Sequence, residues 1–533
     1  MQDLRDRALL DVQVGVQQIR GDLSLDSLVC ADQVGLIKGK RCLDGTRTEI
    51  LNEIFDWINN TDPATPPIFW LHGQAGRGKS AIAHTIAFQA QNLGILGSCF
   101  CFNRTRHHEG LHVKLFTTIA RHLADCDLRL RQILAEVIAN DYSLRDTADI
   151  AEQWKKFILE PLSRLEGPLS RNVVIVIDAL DESGAVATRR DILDVLAHGT
   201  RLPSNIRIVL TSRPIMDIKQ ALLVSHRVHA RSLDDIEAES ATRDITHYIS
   251  TTLKKLGATF SDKDLEQLAA KSNGLFEWAR LACDFLRPRF DVEPEDCFRE
   301  IMSHGADDAR TLLDEMYTMF LKDLTKGSSL SNFLSVMRQV LWSKEPLSIS
   351  ALDSMRRKFT REDDHFSVGI ILGYMAPFFT GTTNLSTPVR PLHASFYDFL
   401  LDKKRSGEFS INEADVHHEL TLASLRVMQD GLRFNICGLE TSYVCNSAVA
   451  NLAMKIAKNI PLHLLYSCRF WATHLHDSTF DSDLAKHVMD FVTGEKIIFW
   501  MEVLGLCKCI NDAYRALISA EGWLEVSMLY CTH

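Results

Sequence analysis

Gly73-Gln74-Ala75-Gly76-Arg77-Gly78-Lys79-Ser80 is the stretch on which the reading of this chain turns. It fits G-x-x-x-x-G-K-[ST], a pattern whose logic lies in the backbone. Glycines let the chain wrap closely enough for successive N–H groups to point inward at phosphate oxygens, and a following helix adds its positive N-terminal end. Gly73, Gln74, Ala75, Gly76, Arg77 and Gly78 would form the wrap, Lys79 would reach the β- and γ-phosphates, and the Ser80 hydroxyl would ligate Mg²⁺. The plain alternative is a glycine-rich strand-to-helix turn that holds nothing. Context favours the ligand, because the apolar run IFWL precedes the glycines and the helix-forming KSAIAHTIA follows them.

Outward from this loop, residues 173–178 (VVIVID) read as a fully apolar strand of the buried parallel kind that ends in a carboxylate. At the carboxyl edge of a parallel sheet, Asp178 would sit beside the loop and hold hydrated Mg²⁺. Asp181 and Glu182 follow within one turn, near enough for either to orient or deprotonate an attacking water. The sequence does not choose between them, and acidic residues after a strand also serve as simple helix caps. Residues 206–212 (IRIVLTS) form another strand. Arg213, in Thr211-Ser212-Arg213-Pro214, then stands at the same edge, as a donor to a γ-phosphate oxygen or as a surface arginine ahead of a proline turn. GSCFCF at 97–102 adds a strand, and KSAIAHTIAFQAQ, DIAEQWKKFILEPLSRL and RRDILDVLAHG are helical between strands. This order predicts an α/β P-loop NTPase, a parallel sheet with helices on both faces.

At 533 residues the chain is too long for one core. The run GTRTEILNEIFDWINN, 45–60, has the apolar spacing of one helix face, with Asp44 or Thr46 as its cap. Beyond about residue 236 the strands vanish and helical patterns take over, among them SDKDLEQLAAKSNGLFEWARLACDFL. Near 345–400, PLSISALDSMRR reads as a helix and VGIILGYMAPFFTGTTNLSTPVRPLHA as two extended runs around a polar turn; from about 411 to 533 the chain is helical again. Residues 1–40 hold an amphipathic segment, LLDVQVGVQQI, and no chemical signature. Hydrophobic residues at 46% and charged residues at 24% describe an ordinary folded chain. Lys+Arg 59 against Asp+Glu 69 leaves a net charge of −10, which provides no global basic field for nucleic acid or anionic membrane. Thirteen cysteines, without paired metal-type spacing, read as reduced and mostly buried thiols; Cys99 and Cys101, and Cys507 and Cys509, lack a matching histidine set. The N-terminus is charged from its third residue, unlike a secretory signal, and the most membrane-like run, 368–379, is too short to span a bilayer. A soluble cytoplasmic protein is expected.

GQAGRGKS, VVIVIDALDE and TSRP, in that order and spacing, resemble the NACHT-type ATPase domain of STAND signal-transduction proteins, in particular the fungal group related to the nephrocystin-3 N-terminal region. Arg77 departs from that group, where smaller residues are frequent; it would strengthen phosphate binding or face solvent. Cys42 to Arg47 is similar to the segment such proteins carry just before the nucleotide domain, which would bring Arg47 near adenine. Lys271 to Phe276 resembles the start of a small helical domain, Pro391 to Leu400 the end of a winged helix, and Ser467 to Leu475 the helical region beyond. The resemblance implies an N-terminal helical segment at 1–40, a nucleotide-binding domain at 41–235, a small helical domain at 236–330, a winged-helix domain at 331–410 and a helical domain at 411–533. It also implies that His393 reaches the β-phosphate of ADP and fastens a resting form, whereas its local reading is a core histidine satisfied by backbone. The function implied is an ATP/ADP switch, with slow hydrolysis controlling a closed-to-open, homo-oligomerising transition and an unidentified sensor or effector as partner. Neither a C-terminal repeat array nor an N-terminal effector domain is visible, so a truncated member, or one served by a separate sensor, is expected. A dedicated phosphotransferase or constitutive NTPase would need an acceptor motif, and none is apparent. A non-hydrolysing scaffold is opposed by Asp178, Asp181 and Glu182, and DNA binding by a winged helix is opposed by the acidic balance.

Overall fold

The computed structural model describes residues 25–530, apart from 33, 105–109, 146, 166–171, 200–201, 259, 289–292, 304–308, 326–329, 360–365, 412–415 and 442. The segment LLDVQVGVQQI lies outside the described residues. Two compact units divide the chain, Met1–Leu313 and Asp314–His533.

The first unit is built on five strands: β1 (Ile68–His72), β2 (Leu96–Cys101), β3 (Val173–Asp178), β4 (Ile206–Ser212) and β5 (Val228–Ser232). Their order is β2-β3-β4-β1-β5 and every neighbouring pair is parallel. β5 is absent from the sequence reading because Val228-His229-Ala230-Arg231-Ser232 lies at the sheet edge, paired with β1, and needs no apolar run. Alternate side chains leave opposite faces of the sheet. Ile68, Trp70, Ile175, Ile177, Ile208 and Leu210 pack in one core with residues of α3 (Leu115–Cys126), α4 (Leu128–Asn140) and α5 (Val186–His198). Phe69, Leu71, Val174, Val176 and Val209 face the other core, with α1 (Thr48–Asn59) and α2 (Lys79–Asn92). Both faces are therefore covered, as a parallel sheet requires.

α1 begins without the expected cap. Arg47, in the left-handed region at φ 58°, occupies the N-cap position and makes no side-chain capping bond, while Thr46 donates its hydroxyl to the Leu43 carbonyl (2.7 Å). The helix expected after Asp149 is interrupted by a π-helical stretch, Trp154–Leu159, ahead of Pro161, whose missing N–H breaks the regular ladder. Beyond β5 come α6 (Ala238–Leu256), α7 (Asp262–Lys271) and α8 (Phe276–Phe285). A reciprocal Ser261–Asp264 capping box starts α7.

The second unit is largely helical. It contains α9 (Leu330–Trp342), α10 (Ile349–Arg356), α11 (Val368–Tyr374), a small antiparallel hairpin of β6 (Phe379–Thr380) and β7 (Arg390–Pro391), and α12 (Ala394–Leu401). α13 (Val416–Gly431), α14 (Leu462–Asp477), α15 (Ser482–Thr493), α16 (Lys496–Leu506) and α17 (Asn511–Tyr530) follow. The first of the two extended runs expected after residue 367 is thus mostly helix. Val368, Ile371 and Leu372 are its buried residues, and a short apolar run does not reveal that spacing unambiguously. Trp471, Phe491 and Trp500 centre the core of the last helices. A buried polar chain crosses the same unit: the Tyr466 hydroxyl accepts the Lys344 N–H (2.9 Å) and lies 2.7 Å from His474 Nε2, and His474 Nδ1 is 3.0 Å from His417 Nδ1. No helix among the described residues is long and apolar enough to cross a membrane.

Candidate nucleotide site

β1, β3 and β4 end side by side, with His72 paired to Ser212 and Ile177 to Leu210, so the segments that follow them converge on one edge. Between β1 and α2 runs the loop Gly73–Gly78. Gly76 has φ 84°, and a Cβ there would lie 3.2 Å from Glu277 Cβ, so both conformation and space demand glycine. Lys79 turns its ammonium back onto the loop and donates to the carbonyls of Gly73 (2.8 Å) and Gln74 (2.7 Å). Burial lowers its pKa to about 8, with Asp181 and Asp178 pulling upward and Arg213 adding to the drop.

Ser80 Oγ donates to Asp178 Oδ1 (3.0 Å). The same carboxylate oxygen accepts the Thr211 hydroxyl, which itself accepts the Ala179 N–H (3.0 Å). Thr211 therefore orients Asp178 from the neighbouring strand, a part the sequence reading did not assign although it quotes the residue. Asp178 is 4% exposed. A hydroxyl and a carboxylate side by side form a hard-oxygen donor set of the kind Mg²⁺ takes.

The two acids that the sequence leaves equivalent differ in the structure. Asp181 is committed to Arg213, accepting its backbone N–H (3.0 Å) and its Nε–H (2.5 Å). Glu182 accepts the Arg104 N–H (3.0 Å). Burial raises the Glu182 pKa to about 7, helped by the nearby Asp181 charge and opposed by the Arg104 N–H and Arg213. A carboxyl that ionises near neutrality is suited to taking a proton from water. Arg213 does not face solvent as an ordinary surface arginine; it is anchored at the edge by Asp181.

Arg77 does not simply face solvent, its side chain being 15% exposed. Its guanidinium donates to Asp234 Oδ1 (3.1 Å) and to the Asn273 carbonyl (2.7 Å), turned toward the wall around the loop. Arg47 is buried: its backbone N–H donates to Asp244 Oδ2 (3.0 Å), its Nη2 donates to the Arg77 carbonyl (3.0 Å), and its guanidinium lies 4.8 Å from the Phe276 ring centre. Beside it opens a cleft of about 490 Å³, lined by Gly45, Arg47, Glu49, Ile236, Asp244 and His247 among others. Asp234 carries no motif, Asn273 lies in the Lys271 to Phe276 stretch expected only to open a helical domain, and only the fold brings the two to the loop.

His393 belongs to the second unit, at the N-cap of α12. Its Nδ1 accepts the Ser395 N–H (3.3 Å) and also meets the Ser395 hydroxyl, which lies 2.6 Å from the Tyr317 hydroxyl. These are local bonds, and they place the proton of the neutral ring on Nε2. Cys99 and Cys101, expected to lack a matching histidine set, lie beside a single histidine: Cys101 Sγ is 3.9 Å from Cys99 Sγ and 3.9 Å from His84 Nε2. His84 Nδ1 accepts the Ile37 N–H (3.2 Å), so Nε2 carries the ring proton and donates toward sulfur instead of ligating a metal.

No curated protein matches the chain. Among solved structures, the Walker-type ATPase PABY2304 of Pyrococcus abyssi is similar at 11% identity and a TM-score of 0.33, over 66% of this chain and 94% of that one. The segment from Gly45 to Arg213 holds the loop, Asp178 and both neighbouring acids. Residues 45–213 match the family described as nephrocystin 3, N-terminal, and it is this matched segment that carries the phosphate loop.

Proposed function

We propose that the first unit binds ATP and ADP at this sheet edge and hydrolyses ATP slowly, as the nucleotide-reading part of a NACHT/STAND-type switch. The observation that carries the reading is the convergence of Lys79, Ser80, Asp178 and Glu182 on one edge, with Glu182 poised near pH 7. Lys79 exchanges two loop carbonyls for β- and γ-phosphate oxygens, and the loop N–H groups and the start of α2 take up the remaining charge. Ser80 and Asp178 would hold Mg²⁺, which supplies charge neutralisation on the phosphates. Glu182 accepts the proton of the attacking water. Asp181 keeps Arg213 at the edge, where its guanidinium distinguishes a γ-phosphate from its absence. The cleft beside Arg47 takes the base. ATP and ADP would favour different arrangements of the protein because only one of them presents a γ-phosphate, and oligomerisation would follow the ATP-favoured form.

The test is equilibrium binding of ADP and ATP to the full chain and to Lys79→Ala, alongside single-turnover hydrolysis by Glu182→Gln. Loss of the charged contact should weaken binding by about ten- to hundredfold, equivalent to about 1.5–3 kcal/mol. Glu182→Gln should keep ATP bound and slow its cleavage. Equal affinities in a folded Lys79→Ala protein would sink the loop assignment, and steady turnover by a monomer of unchanging mass would favour a constitutive NTPase over a switch.

A further inference from the structure

Arg77 joins three segments distant in sequence. Its Nε donates to Asp234 Oδ1 (3.1 Å) just beyond β5, and its Nη1 donates to the Asn273 carbonyl (2.7 Å) in the turn between α7 and α8. Asp234 also accepts the Gln74 N–H (3.1 Å), so loop backbone and Arg77 side chain share one carboxylate. The turn is shaped to receive the guanidinium. Asn273 and Gly274 are both left-handed, at φ 49° and 75°, and a Cβ on Gly274 would stand 2.1 Å from Arg77 Nη1. One residue away, the Gly76 carbonyl accepts the Glu277 N–H (3.1 Å) from the first turn of α8. The Arg77 and Asp234 side chains are 15% and 29% exposed, so solvent screens their pairing only partly.

We infer that Arg77 is a positioning residue that locks the α7–α8 turn onto the phosphate loop. Arginine suits the task because its planar guanidinium presents donors at fixed angles in two directions, one for Asp234 and one for the Asn273 carbonyl, whereas lysine offers a single compact charge. The loop cannot change shape without moving Asn273, and the helices cannot swing away without pulling the loop. A nucleotide held by such a loop leaves more slowly. That last consequence rests on the nucleotide reading; the fastening itself does not.

The test compares wild type, R77A and R77K as full chains. In nucleotide-free protein, hydrogen exchange in peptides covering 272–280 should quicken about tenfold in both variants, since both lose the bond to Asn273. Exchange in peptides of β1, β3 and β4 should stay unchanged, which separates loss of the lock from general destabilisation. With a fluorescent ADP analogue, R77A should release nucleotide about tenfold faster than wild type and R77K should fall between, because it keeps a charge for Asp234. Unchanged exchange at 272–280 in folded R77A would overturn the lock. Failure of wild type to bind ADP would sink the nucleotide reading alone and leave the exchange measurement to decide the lock.

Discussion

Two side chains at the sheet edge have pKa values moved toward neutrality from opposite directions, and together they predict a pH profile. Glu182 ionises near 7 and must be deprotonated to act as base; Lys79 ionises near 8 and must be protonated to hold phosphate. For the free enzyme, kcat/KM for ATP should therefore rise through about pH 7 and fall through about pH 8, since this parameter reports the unliganded groups. Glu182→Gln should erase the rising limb and leave the falling one. A profile flat from pH 6 to 9 would assign neither role. The same residues mark what the sequence could and could not tell. The spacing of Gly73, Gly78, Lys79 and Ser80 carries its chemistry in residue type, and Asp178 carries its own through an apolar strand. The division of labour between Asp181 and Glu182 does not, because it depends on Arg213 and the Arg104 N–H, which only the fold supplies.

Elements with a strong period or a buried apolar run were legible, and those held by context were not. β3 and β4 coincide with their predicted limits because every residue but one is buried. β5 escaped because an edge strand paired on one side tolerates His229 and Arg231, and α11 was read as extended because a seven-residue apolar run fits either period. Polar chains inside helical regions are equally silent in sequence, since nothing in Tyr466 or His474 announces that they meet. Their energetics are testable. Tyr466→Phe keeps the ring in place but removes the acceptor of the Lys344 N–H and the hydroxyl 2.7 Å from His474 Nε2, and should cost about 1–3 kcal/mol. The measurement is the denaturant midpoint of the full chain followed by tryptophan fluorescence, to which Trp471 and Trp500 contribute; an unchanged midpoint would mean that water replaces both bonds.

At the scale of the molecule, the strand order has a consequence for the history of each chain. β1 is flanked by β4 and β5, whose residues pair with Ile68 only at positions 208 and 228. As the polypeptide leaves the ribosome, Phe69, Trp70 and Leu71 must wait for more than a hundred further residues before either neighbour exists. The phosphate loop, encoded early, is therefore among the last features to close. In refolding followed by pulsed hydrogen exchange, β1 amides should gain protection together with those of β4 and β5, later than the amides of α1. Simultaneous protection of α1 and β1 would contradict this order. Until then the strand is an apolar segment with open edges, a natural client for a chaperone, and any chain cut short before Ile206 would leave it with neither neighbour instead of presenting a partial nucleotide site.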